Sequence, residues 1–146
     1  MTDDPVLREH ELDGREELRM SVPAEFVPLR TARRRLAGWA RTVGLAGRDV
    51  DSVVLAAYEA LANAAEHAYP GTEGVIDLHA EVDGEQVKIT VADQGRWRPP
   101  PADPGNRGRG LLLIRGLAHS SEVRHRPLGG TVVEMCWRLP GPRAAN

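Results

Sequence analysis

A single cysteine, Cys136, stands in this chain of 146 residues, and that scarcity excludes an internal disulfide and any zinc cluster built from cysteines. Its place inside the apolar run Val132–Trp137 points to simple burial. Aromatic residues are also scarce, at 4%, so Leu, Val and Ala must fill the core. Long hydrophobic runs are missing: none approaches the roughly 20 residues that cross a bilayer. The opening stretch, MTDDPVLREHELDG, is charged and has no signal-peptide core. No membrane association and a cytoplasmic location are therefore expected. Neither sign of charge dominates. A net charge of −2 gives no overall push toward nucleic acid, although arginines cluster at 33–35, at 96 and 98, and at 107 and 109.

The remaining composition, 41% apolar and 27% charged, is that of a soluble globular protein and argues against wholesale disorder. The length suits one domain that buries a core without disulfides or a structural metal. Residues 1–14 carry Pro5 and Gly14 and no apolar period, so they are expected to be a disordered tail, as are residues 141–146 after Pro140. The domain proper should cover 15–140.

Within it, Glu17–Val22 alternates polar and apolar up to Pro23, the pattern of a half-buried edge strand. From about Glu25 to Val43 the residues Phe26, Leu29, Leu36, Trp39, Ala40 and Val43 recur at helical spacing, with Gly44 as the stop. Arg30 and Arg33–Arg35 fall on its outer face, which is either simply solvated or docks an acidic partner. A second helix is expected from about Asp49 to Ala68, capped by Asp49 or Asp51 and stopped before Pro70-Gly71. Its buried stripe is Val50, Val53, Val54, Ala57, Leu61, Ala64 and Ala68. Two alternating runs, 74–82 and 86–91, flank Asp83-Gly84-Glu85 and read as a hairpin. After the proline- and glycine-rich stretch, Leu111–Ile114 and Leu117 form a short apolar helix, and 122–125 with 131–139 form a last hairpin. The sum is an α+β sandwich: one mixed or antiparallel sheet with helices packed on one face.

Two features carry chemistry. Glu59 and Asn63 lie one turn apart on the second helix, on a face away from Leu61. They are surrounded by Ala56, Ala57, Ala60, Ala62, Ala64 and Ala65, which let backbone or a ligand come close in a way that an ordinary solvated face does not require. The stretch Val91–Leu117 runs from a strand end at Asp93 and Gly95, through a glycine- and proline-rich loop, into a helix that opens at Gly108–Gly110. Such an entry exposes backbone N–H groups and the positive end of a helix dipole to an anion. Binding ATP with Mg2+ needs an oxygen ligand, an acceptor for the adenine amine and donors around the phosphates. Asn63 can supply the first, and Asp93, with Gly95 leaving room for the base, the second. The Gly108–Gly110 helix start with Arg107 and Arg109 can supply the third.

Glu59–Tyr69, read as EALANAAEHAY, resembles the N box of the gyrase/Hsp90/histidine-kinase/MutL ATPase superfamily, in the form found in bacterial anti-sigma-factor serine kinases. Val91-Ala92-Asp93-Gln94-Gly95 is similar to that superfamily's first glycine box, and the segment from Gly108, Arg109, Gly110 and Leu111 to Ile114 to its second. Gly130-Thr131 resembles the closing Gly-Thr, whose threonine hydroxyl supports the adenine-binding aspartate. The resemblance spans about residues 16–139 and implies the Bergerat ATP-binding fold. It also implies Asn63 on Mg2+, Asp93 on adenine and Glu59 as the general base of a protein serine kinase. The implied substrate is a serine of an anti-sigma-factor antagonist, and the implied second partner is a sigma factor held by a kinase homodimer. Trp97 stands where the second glycine of the first box is common, a form similar to the short stand-alone actinobacterial ATP-binding regulators. A regulatory module that binds ATP and a partner without phosphotransfer is the alternative. Retention of Glu59 speaks for the kinase, because a pure binder has no need of that carboxylate. His67 reads as structural, and His79, His119 and His125 receive no role.

Overall fold

A computed structural model describes residues 8–10, 17–68, 74–95, 109–127 and 129–140. Six strands form one sheet, β1 (Arg8–His10), β2 (Glu17–Pro23), β3 (Val75–Asp83), β4 (Gln86–Asp93), β5 (Ser120–His125) and β6 (Thr131–Arg138), in the spatial order β1-β2-β3-β4-β6-β5. Every described pairing is antiparallel. Three helices, α1 (Phe26–Thr42), α2 (Gly47–Ala68) and α3 (Arg109–Leu117), complete the described elements. The result is the expected α+β architecture. None of these helices is long and apolar enough to cross a membrane.

Period-two alternation decides which side of the sheet is covered. Leu18, Met20 and Val22 on β2, Ile76, Leu78 and Ala80 on β3, Val87, Ile89 and Val91 on β4, and Val133, Met135 and Trp137 on β6 are all buried. Register joins them into rows across the strands, Leu78–Val91–Val133 and Ala80–Ile89–Met135. The opposite face carries ion pairs. Glu134 lies 3.0 Å from Arg124 and 3.2 Å from Lys88, and the hydrogen bond from Arg124, then that from Lys88, hold its carboxyl below the ordinary carboxylate range despite partial burial.

The apolar stripe of α1 is Pro28, Leu29, Ala32, Leu36, Trp39 and Ala40. Pro28 sits in the first turn, where no intrahelical N–H is required. The stop is a Schellman motif: the Gly44 N–H donates to the Arg41 carbonyl and the Leu45 N–H to the Ala40 carbonyl, with Gly44 at φ +96°. Helix α2 presents Val50, Val53, Ala56, Ala57, Ala60, Leu61 and Ala64 inward. It touches α1, α3 and strands β3, β4 and β6, and its run of methyl side chains is what permits so close an approach to the sheet.

Several expectations are corrected. Residues 8–10 are not tail: they pair with β2, so β2 is an inner strand. Helix α2 begins two residues before Asp49, because the N–H groups of Asp49 and Val50 both reach the Ala46 carbonyl. Asp49 therefore lies in the first turn, where its carboxylate meets the positive end of the dipole. Phe26 is 64% exposed, since α1 overhangs the core at that end, and the Arg30 guanidinium lies over its ring at 5.6 Å. Cys136 points to the open face and is half-buried, and that partial burial raises its thiol pKa.

Candidate functional site

The residues singled out by the sequence lie at the end of β4, the start of β6, along α2 and in the first turn of α3. Asp93 closes β4 and is 2% exposed, an expensive position for a carboxylate unless its oxygens are satisfied. The chain turns at once, and the Gly95 N–H donates to Asp93 Oδ1 at 3.1 Å. This local turn, in which an aspartate accepts from the backbone two residues on, fixes the carboxylate against the strand end.

Thr131 opens β6 directly opposite Asp93 and is 1% exposed. Gly130, immediately before it, has φ +107°, and a Cβ at that position would lie 2.5 Å from the Asp93 carbonyl oxygen. The Gly-Thr pair is thus packed onto the backbone of the aspartate. Gly130→Ala is expected to displace that backbone and to lower stability by on the order of 2 kcal/mol, with nucleotide affinity falling in parallel. Paired urea melts and titrations with ADP measure both, and an unchanged denaturation midpoint would contradict the packing argument.

Glu59 and Asn63 are both half-buried on α2, with Ala56, Ala60 and Ala64 fully buried around them. They are therefore recessed side chains, not tips on an open helix face. Because α2 packs on both β4 and α3, the helix bearing the pair adjoins the strand that ends in Asp93 and the helix that begins at Arg109. Arg109 and Gly110 form the first two residues of α3, and Leu111 behind them is half-buried. Ile114 anchors this helix in the core, while Leu112 and Leu113 are exposed. The Trp137 Nε1–H donates to the Leu117 carbonyl at 3.1 Å, which ties the far end of α3 to β6. Arg107, Gly108 and Trp97 lie outside the described residues.

Sequence reasoning gave no role to His79, His119 and His125, and each of these three has a partner. His79 lies 3.2 Å from Glu17 and 3.6 Å from Glu81 on the open face. His119 Nδ1 accepts the Arg138 N–H at 2.8 Å. His125 Nδ1 is 3.1 Å from Thr131 Oγ1. The last contact follows from the hairpin register, which sets His125 opposite Thr131.

Residues 22–137 match the histidine kinase-like ATPase domain family. The serine-protein kinase RsbW of Staphylococcus aureus is 32% identical over 136 residues, covering 82% of this chain and 83% of that protein. RsbW of Bacillus cereus strain Q1 is 29% identical over 126 residues, or 75% and 78%. A crystal structure of the RsbU and RsbW domains of a Mycobacterium tuberculosis protein superposes with a TM-score of 0.69 at 28% identity. It covers 86% of this chain and 33% of that one. The buried Asp93 beside Gly130-Thr131, the recessed Glu59/Asn63 pair and these likenesses agree: the chain belongs to the histidine kinase-like ATPase family, in its branch of RsbW-type serine-protein kinases.

Proposed function

We propose that the chain binds ATP and transfers its terminal phosphoryl group to a serine of an anti-sigma-factor antagonist, and that as a homodimer it also sequesters a sigma factor. The observation that carries this reading is that Glu59 and Asn63 share a recessed face of α2 while a buried carboxylate, Asp93, ends the adjoining β4. Asp93 accepts from the exocyclic amine of adenine, which selects this base by a hydrogen bond that a buried site makes costly to lose. The α3 N-terminus, with Arg107, Gly108, Arg109 and Gly110, holds phosphate oxygens through backbone N–H groups and guanidinium forks.

The donor set fits a divalent ion that is shared with the nucleotide. Asn63 offers a single hard carbonyl oxygen, and among the described residues no group of three or more His, Cys, Asp or Glu could cage a metal alone. When bound with ATP, Mg2+ supplies charge neutralisation at the phosphates. Glu59, one turn before Asn63, orients the attacking serine hydroxyl and takes its proton as the phosphoryl group is transferred. Positioning and charge stabilisation dominate phosphoryl transfer, so a correctly placed carboxylate completes the set.

The test is incubation of the full chain with γ-labelled ATP and co-purifying partners. Label on a serine of a small antagonist is the expected result. Nucleotide binding and partner retention with no transferred label would leave a regulatory ATP-binding module in place of a kinase.

A further inference from the structure

We infer that His125 is a positioning residue for the nucleotide site, acting through the Thr131 hydroxyl on the pocket that Asp93 closes; this rests on the adenine reading of Asp93. Three observations carry it. Asp93, Thr131 and His125 form one row across three neighbouring strands, β4, β6 and β5, each directly opposite the next. The row two residues further into the sheet is Val91–Val133–Val123, and all three valines pack into the core. Period-two alternation therefore puts Asp93, Thr131 and His125 on the helix-bearing side of the sheet, where the site lies.

The second observation is the contact itself, 3.1 Å between His125 Nδ1 and Thr131 Oγ1. Thr131 is 1% exposed, so bulk water does not orient its hydroxyl, which has one hydrogen to place and rotates to suit its neighbours. Two arrangements exist. If Nδ1 carries the proton, it donates to Thr131 Oγ1 and the hydroxyl hydrogen is released to point away from β5, toward the Asp93 side. If Nδ1 is bare, the hydroxyl donates to the imidazole and is lost to the pocket. Recognition of an amine by the Asp93 carboxylate gains from a donor on that side, which helps to hold the carboxylate in the orientation that accepts the amine. His125 with a protonated Nδ1 supplies that donor indirectly.

The third is the turn. The Arg126 N–H donates to the Gly130 carbonyl at 2.8 Å and the Gly129 N–H to the Arg126 carbonyl at 3.1 Å. Both glycines have positive φ. Gly130, the residue that packs on the Asp93 carbonyl, is thus also the residue that closes the hairpin and sets His125 beside Thr131. Imidazole, turn and pocket form a single unit. His125 is itself exposed at the end of the outermost strand, so its ring fills no core volume, and removing it opens no cavity.

Calorimetric titration of the full-length chain with ATP and Mg2+ tests this. His125→Ala should weaken binding about five-fold, the worth of one neutral hydrogen bond, with the melting temperature unchanged. His125→Asn, whose side-chain amide can stand where Nδ1 does, should restore affinity, and His125→Gln should not. In a Thr131→Val background His125→Ala should have no further effect, since the pair acts as a unit. Unchanged affinity in His125→Ala, an equal loss in the Thr131→Val background, or failure of Asn to rescue would overturn the inference while Asp93→Asn still abolished binding. Retained binding in Asp93→Asn would instead remove the adenine reading, and this inference with it.

Discussion

Asp93→Asn is expected to abolish ATP binding while leaving the fold in place. The substitution is nearly isosteric, and the Asn side-chain oxygen can still accept the Gly95 N–H that Asp93 Oδ1 accepts at 3.1 Å, so the turn after β4 survives. What changes is the second position of the side chain, which becomes an NH2 donor where an acceptor stood. A donor facing the exocyclic amine of adenine leaves two buried donors unpaired. Each unpaired group costs about 1–3 kcal/mol, and a charge-assisted bond of about 1.5–3 kcal/mol is lost besides. At about 1.4 kcal/mol per decade, affinity should fall by two orders of magnitude or more, beyond the range of an ordinary titration. Asp93 is 2% exposed, so water cannot make good the loss. Inosine triphosphate, which carries a carbonyl acceptor in place of the amine, should reverse the preference and favour Asn over Asp93. ATP affinity unchanged by calorimetry would contradict the adenine assignment.

The reach of the sequence is clearest where periodicity and turn chemistry agree. Alternation in β2, β3, β4 and β6 located the strands and the buried side, because a half-buried sheet leaves a period-two record in every strand. The Asp-Gly pair located the β3–β4 hairpin, which the structure closes through an Asp83–Gln86 pair around Gly84-Glu85. Helix ends were less legible. The start of α2 is set by backbone bonds to Ala46, a residue with no capping side chain, so it left no sign, whereas Asp49 resembled a cap. Phe26 falls on the apolar stripe of α1 by angle, but a helical wheel does not say where the core beneath it ends. β1 is three residues long, too short for any alternation to register.

The site divides in the same way. Glu59 and Asn63 stand out in the sequence by one feature, a polar pair among alanines, and both are half-buried on α2. The packing of Gly130 against the Asp93 carbonyl was not legible from residues alone, since a glycine before a strand is common and only the tertiary contact makes a side chain intolerable there. His125 was lost for a related reason: its partner lies across a hairpin whose closing register has to be known before the contact exists.

Glu59→Ala is expected to stop phosphotransfer and to leave nucleotide binding intact, and this separates a kinase from a binding module more sharply than any other single change. Glu59 sits one turn from Asn63, so on the proposed mechanism it faces the incoming hydroxyl and makes no contact with the base or the phosphates. Its loss should therefore leave ATP affinity within about two-fold, since no bond to nucleotide is removed. A positioned general base contributes roughly 10²–10⁴ in rate, and the transfer rate should fall by that factor. The half-buried position on α2 makes Ala a mild structural change, because Ala has the higher helix propensity. Glu59→Gln refines the test: it keeps the size and hydrogen-bonding reach of the side chain but cannot take a proton, so it should be nearly as inactive as Glu59→Ala if base strength matters. If Glu59 only orients the hydroxyl, Glu59→Gln should recover a large part of the rate. Full transfer of label from ATP to the serine substrate in Glu59→Ala would remove Glu59 from the chemistry and move the search for the base to another residue of the pocket.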